Sequence, residues 1–377
     1  MKQKIIYNFT NIAPHYRSSL WSKLLNNLFF DFHFVFGENK QLNIKEINFK
    51  ALEFREQNHK LHALKNFWLK DKILIFQTGV IKKCLFKNID IAIFLGEFQI
   101  ISTWIAILIC KIKGIKVVLW SHGLYGNEPY WKRTLRISFY KTADELLLYE
   151  RRAKKLLTEQ GFKEEKLKVI FNSLDYDTHL KLRNSNDVKQ SFTPDFFKDN
   201  HLPYLIFVGR LTRVKKLDLL INAVSALNET GDKINLLLVG DGTEKEYLKS
   251  LAISLDIQDH IHFYGSCYDE KELAKFIYHA TLCVSPGNVG LTAIHSLSFG
   301  TPVCTHGNLS NQMPEVESIV ELETGVFFEE NSLENLKEKV KDWIRNSKSR
   351  ESIRKECFKI IDTFYNPYYQ TDIIKKL

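Results

Sequence analysis

Short apolar or β-branched runs alternate along this chain with longer segments whose apolar residues recur at helical spacing. In the first half, "KIIYNF" (4–9), "FHFVFG" (32–37), "ALEF" (51–54), "IDIAIFLG" (89–96), "IKVVLWSHG" (115–123), "ELLLYE" (145–150) and "LKVIFNS" (167–173) read as strands. The segments 18–29 and "FQIISTWIAILICKIKG" (98–114) read as helices, the second buried and closed by Gly114. A polar stretch without period, 178–202, reads as a linker region. The alternation then restarts with "YLIFVGR" (204–210), "INLLLVGDG" (234–242), "IHFYG" (261–265), "TLCVSPG" (281–287), "PVCTH" (302–306) and "GVFFEE" (325–330), separated by helical patterns. Strands alternating with helices predict parallel sheets covered on both faces, so the fold class is α/β in two tandem domains. The expected bounds are 1–177 and 203–354.

The ends of the predicted strands hold the candidate chemistry, because open parallel sheets bind ligands at their carboxyl ends. Arg210 follows "YLIFVG", with Lys215 just beyond. Two readings stand there, a phosphate grip and a solvated basic loop. In "SPGNVGLTAIHSLSFGTPV" (285–303), a glycine turn leads into a short helix. Free amides and the positive end of the helix dipole make such a start an anion site. His295, one turn in, is either a ligand of the same site or a helix histidine bonded to a neighbouring carbonyl. His122 and Glu97 follow strands of the first half. His15, Tyr16 and Arg17 follow the first strand, where a plain turn is the competing reading.

Composition narrows the picture. With 377 residues, 45% hydrophobic and 26% charged, the chain is a folded globular protein with more than one core. The formal net charge of +9 favours anionic partners. The lysines are spread and no nucleic-acid motif appears, so no nucleic acid is expected. The six cysteines form no C-x-x-C pair, which predicts reduced thiols in the cytoplasm and no metal. No apolar stretch is long enough to span a bilayer. Two basic-aromatic stretches, 59–88 and "YWKRTLRISFYK" (130–141), fit peripheral contact with an anionic membrane, with ordinary helices that keep a lysine-lined wet face as the competing reading.

The order and separation of "FVGRLTRVKKLDLLINAV", "LLLVGDGTEKEYLKSLAISLDIQDHIHFYG" and "CVSPGNVGLTAIHSLSFGTPV" resemble the donor domain of the retaining GT-B glycosyltransferases of family 4. The likeness is specific over roughly 165–345, and "VIFNSLD" is similar to the segment closing that family's first domain. It implies a GT-B fold of two doubly wound Rossmann-like domains facing a cleft, with 355–377 crossing back to the first. It implies hexosyl transfer from a nucleotide diphosphate sugar, UDP- or GDP-linked, to a hydroxyl of a glycan or lipid-linked acceptor. Polysaccharide synthesis at the inner face of the cell membrane follows as the setting, with no cofactor besides the donor. Arg210 and Lys215 fall on the family's diphosphate grip, and Gly290 and Leu291 on its glycine turn, with Asn288 and Val289 beside them. Tyr264 and Gly265 fall beside the base, and His122 near the reacting sugar. The family commonly has two glutamates where this chain has Gly287 and His295. Ribose contact by His295 and a sugar contact by Asn288 are the implied replacements. The alternatives are an epimerase or phosphorylase on the same fold and, from another class, a nucleotide-binding pseudoenzyme or a nucleic-acid binder.

Overall fold

The computed structural model describes residues 3–38, 44–69, 74–346 and 348–377. Contacts divide the chain into two units, Met1–Asp175 with Asn366–Leu377, and Tyr176–Tyr365.

The first unit holds β1 (Lys4–Thr10), β2 (Phe30–Gly37), β3 (Leu61–Leu64), β4 (Asn66–Leu69), β5 (Leu74–Gln77), β6 (Ile91–Leu95), β7 (Lys116–Ser121), β8 (Glu145–Leu148) and β9 (Leu167–Val169). Seven of these pair in the order β3-β2-β1-β6-β7-β8-β9, all parallel. Near-continuous apolar runs form these strands because both faces are covered. Ala92, Phe94, Val117 and Leu119 enter one core. Their neighbours Ile91, Ile93, Val118 and Trp120 enter the other. That second core is aromatic, with Trp21 stacked on Phe34 at 3.8 Å.

The second unit holds β10 (Tyr204–Val208), β11 (Asn235–Val239), β12 (Ile261–Gly265), β13 (Leu282–Ser285), β14 (Val303–His306) and β15 (Gly325–Phe328). They form one parallel sheet in the order β12-β11-β10-β13-β14-β15. The winding reverses between β10 and β13. The crevice beyond the carboxyl ends of that strand pair is where such sheets take ligands.

Several expectations change. "ALEF" is a helical turn, Leu52–Arg55, rather than a strand. Residues 178–202 are not a bare linker: helices Tyr176–Asn184 and Asn186–Lys189 fill its first part and belong to the second unit. The buried residues of the first helix, His179 and Arg183, stand at helical spacing but are polar, and the second helix buries only Val188, so neither shows an apolar period. Helix Arg350–Phe364 ends in the second unit. Only from Asn366, which caps helix Pro367–Lys375, do contacts lie with the first unit. Gln370 there donates to Phe171 O (3.0 Å) and accepts from Ser173 Oγ (2.6 Å). The stretch 59–88 is no amphipathic helix. It contributes β3, an antiparallel β4-β5 pair and helix Val80–Phe86, and its residues 70–73 lie outside the described residues. Among the described residues no helix is long and apolar enough to cross a membrane.

Candidate active site

The winding reversal of the second unit gathers most of the residues singled out there. After β10, the chain passes the exposed Arg210 and turns through Arg213–Lys215. After β13, it forms the turn Pro286–Gly290. Lys215 Nζ joins the two loops, donating to Asn288 O at 2.6 Å and Asn288 Oδ1 at 2.8 Å. Burial, with Arg210 nearby, pushes the Lys215 amine down to about 8. A lysine has three protons to give, so one direction remains for an anion.

Gly287 lets these loops close. Its amide donates to Lys215 O at 3.0 Å, and a Cβ there would stand 2.0 Å from Val214 O. A glutamate at this position therefore has no room unless the 213–215 turn moves. Gly290 has φ 54° and ψ −150°, close to a region that only glycine populates readily. It starts helix Leu291–Ser298, which has no side-chain cap. Thr292 Oγ1 donates to Val208 O at 2.9 Å and so holds the helix start against β10. Gln312, which sequence reasoning missed, fixes the turn from below. It accepts from Val289 N (2.9 Å) and donates to Thr305 Oγ1 (2.9 Å) and His306 O (3.0 Å). Arg210, Lys215, Asn288, Val289, Gly290 and Leu291 thus occupy one loop pair. A groove of about 590 Å³ borders the 212–219 segment, lined by Arg213, Lys216 and Tyr247 among others.

His295 has a different partner from the one expected. Its Nε2 lies 2.6 Å from Glu270 Oε1. Glu270 is the first residue of helix Glu270–His279, whose start is capped by Asp269 accepting from Lys271 N and Glu272 N. His179 Nε2 lies 3.0 Å from the same oxygen. Burial favours the neutral acid, yet His295 and His179 hold the Glu270 carboxyl well below the usual carboxylate range. Neither Glu270 nor His179 stood out in the sequence. Tyr264 packs edge-on against Phe276 at 4.9 Å, and its hydroxyl is pushed up to about 12 by Glu272 and burial. Gly265, at φ 87°, ends β12 and accepts from Gly240 N at 2.8 Å.

In the first unit, the turn His15–Arg17 follows β1. His15 is exposed. Arg17 lies over the Trp120 and Tyr149 rings at 5.1 and 5.5 Å and donates to the Tyr149 hydroxyl. Tyr16 also bonds Arg17; burial disfavours the Arg17 cation, but these two hydroxyls hold it firmly charged. His122, beyond β7, packs against Tyr149 at 4.7 Å. Burial, then Arg17 and Arg136, lower its imidazole to about 4, so it is neutral across the ordinary pH range. Glu97, beyond β6, is raised by burial and partly brought back by Arg136. Arg136 lies over the Tyr125 ring at 4.9 Å and donates to Gly123 O at 3.2 Å. Arg17, His122 and Glu97 are therefore linked through Tyr149 and Arg136, two residues that the sequence did not mark.

Residues 188–359 match the family model described as Glycosyl transferases group 1. An uncharacterized glycosyltransferase of Methanocaldococcus jannaschii is 30% identical over 170 residues, 44% of this chain and 40% of that protein. An uncharacterized glycosyltransferase of Haemophilus influenzae is 28% identical over 233 residues, 59% of this chain and 58% of that protein. The chain thus spans about half the length of these curated relatives. Two solved structures are similar over nearly the whole chain. The lipopolysaccharide outer core galactosyltransferase WaaB, in its apo form, aligns with a TM-score of 0.69 at 15% identity, covering 99% of this chain and 100% of that one. Anabaena Alr3699/HepE in complex with UDP aligns with a TM-score of 0.69 at 14% identity, covering 99% of each chain. The α/β fold with two parallel sheets is that of the GT-B glycosyltransferases.

Proposed function

We propose that this chain is a glycosyltransferase that moves a hexosyl group from a nucleotide diphosphate sugar to a hydroxyl of a glycan or lipid-linked acceptor, with retention at the anomeric carbon. The observation that carries this is the loop pair joined by Lys215 and Asn288 at the winding reversal of the second sheet. It presents two cations, Arg210 and Lys215, and an uncapped helix start to one place. The matched domain and the UDP in the Alr3699/HepE structure support a nucleotide donor.

The chemistry follows from where charge develops. As the bond from the anomeric carbon to the diphosphate breaks, negative charge grows on the leaving oxygens. Arg210, Lys215 and the amides around Gly290 and Leu291 stabilise that charge without reorganising. Asn288, held by Lys215, contacts the sugar. Tyr264 and Gly265 border the base. In the first unit, His122 as a neutral imidazole hydrogen-bonds a sugar hydroxyl, and Arg17, Tyr16, His15 and Glu97 serve the acceptor side. The acceptor works at the inner face of the cell membrane, and the setting is cell-surface polysaccharide synthesis.

The test is a binding and turnover panel of UDP-, GDP- and ADP-sugars, with a thermal-shift readout for binding. One nucleotide should raise the melting temperature, and its sugar should be transferred to a glycan or lipid-linked acceptor. Binding of none would sink the proposal. Binding with conversion of the sugar nucleotide to its epimer, and no transfer, would favour the epimerase instead.

A further inference from the structure

Three side chains from three helices of the second unit converge at a point that the proposed diphosphate grip does not use. His179 lies on Tyr176–Asn184, Glu270 opens Glu270–His279, and His295 lies on Leu291–Ser298. Both histidines aim Nε2 at the same carboxylate oxygen, Oε1 of Glu270, from 3.0 Å and 2.6 Å. Their rings are nearly parallel, 17° apart with centroids 5.1 Å from each other. Phe299 forms an apolar wall against both, at 5.1 and 5.6 Å. The side-chain exposures are 5% for His179, 14% for His295 and 35% for Glu270, so the cluster opens to solvent on the Glu270 side.

We propose that His179, Glu270 and His295 form a binding site for a divalent transition metal ion of the zinc type, with its remaining coordination position open to water. The ligand atoms all lie within 4.8 Å of one another. Bonds of about 2.0–2.2 Å place the ligand atoms of a tetrahedral zinc site roughly 3.3 Å apart. The 3.0 Å separation is close to that, and the 2.6 Å one must open by about 0.7 Å, which a rotation of the partly exposed Glu270 side chain can supply. Two imidazoles and one carboxylate form a three-ligand set that leaves a fourth position for water. Imidazole nitrogen selects zinc and its transition-metal neighbours over magnesium or calcium, which take oxygen ligands. Bound metal would tie helix Tyr176–Asn184, which begins the second unit, to the helix that starts at Gly290. Sequence spacing gives no hint of this site, because its three residues come from distant parts of the chain.

The test uses the tag-free full chain, stripped with chelator and titrated with zinc chloride by calorimetry, with metal content measured after gel filtration. The expected result is one zinc per chain, and visible absorption of a tetrahedral Co²⁺ site when cobalt is used instead. Glu270→Gln and His295→Ala should each weaken zinc binding by at least about tenfold. His62→Ala, at a separate close histidine pair (His33 Nδ1 to His62 Nε2, 3.3 Å), should leave it unchanged. His179→Ala removes a buried ring, so the near-isosteric Glu270→Gln carries the test, with far-UV circular dichroism confirming its fold. No zinc retained by wild type overturns the proposal. So does zinc that remains at full stoichiometry and affinity in folded Glu270→Gln, or that is lost in His62→Ala.

Discussion

Gly287 and Val214 share one space: the carbonyl oxygen of Val214 stands 2.0 Å from where a Cβ of Gly287 would be. The atom in the way is backbone, so a side chain there must move the 213–215 turn. Gly287→Ala should therefore destabilise the protein by roughly 1–3 kcal/mol, as overpacking does. Because that turn carries Lys215, nucleotide affinity should fall as well. A thermal melt and a nucleotide titration check this, and an unchanged melting temperature would refute the packing argument.

Arg210 and Lys215 should contribute unequally to nucleotide binding. A charged hydrogen bond to a diphosphate is worth about 1.5–3 kcal/mol. Lys215 is half-buried and should reach that range, whereas solvent screens the exposed Arg210 and holds its share nearer 1 kcal/mol. Affinities of Lys215→Ala and Arg210→Ala for the preferred nucleoside diphosphate decide it. Wild-type affinity in both would remove the assignment.

His122 should make the protein sensitive to acid. Its folded pKa, about 4, is below the ordinary value of 6.5. Between those values the unfolded chain binds more protons than the folded one, so stability falls as pH drops through this window. The upper bound is about 3 kcal/mol from a shift of this size. His122→Gln should flatten that part of the melting-temperature profile between pH 4 and 6.5. Identical acid limbs for both proteins would show that the imidazole titrates normally.

Membrane contact should centre on helix Tyr130–Tyr140. Tyr130 and Trp131 are 84% and 62% exposed there, with Lys132 close to the Trp131 ring. In the other stretch Phe67, Leu69, Leu85 and Phe86 are exposed on short elements rather than on one helix face. Trp131→Ala with Lys132→Glu should reduce co-sedimentation with anionic vesicles, and salt should release the wild type. Equal binding to neutral vesicles, or none to either kind, counts against it.

Much of the second unit was legible in the sequence. Its strands are short, apolar and bounded by glycine, so periodicity located Arg210, Lys215 and the 287–290 turn at strand ends. The first unit was harder. "ALEF" is a short apolar run whose Ala, Leu and Glu are helix formers, and it forms a helical turn instead of a strand. In the second unit, helices Tyr176–Asn184 and Asn186–Lys189 show no apolar period, because the buried residues of the first are the polar His179 and Arg183. Side-chain pairings across distant segments leave no local mark at all. Gln312 under Val289, Tyr149 on Arg17 and His179 beside His295 are such cases. The glycine at 287 was visible, but its reason was not, because the Val214 carbonyl comes from another loop.

Lys215 gives two pH dependences of opposite sign. Its folded pKa is lowered from 10.5 to about 8, chiefly by burial. In the free protein, the unfolded chain then holds the extra proton between about pH 8 and 10.5. Stability contributed through Lys215 therefore rises with pH across that window. For a bound diphosphate the protonated amine is the useful form, so affinity should fall as pH rises through 8. The anion itself favours the cation, so the midpoint for the complex should lie above 8. Titrations of the preferred nucleoside diphosphate from pH 7 to 9.5 should show this loss in wild type. In Lys215→Ala, binding should be weaker throughout and its slope removed. Lys215→Arg keeps the charge at every pH and should also lose the slope, although its planar fork will not reproduce both bonds to Asn288. A slope that persists in Lys215→Arg would assign the titration to another group, and the amine would then be fully charged at neutral pH.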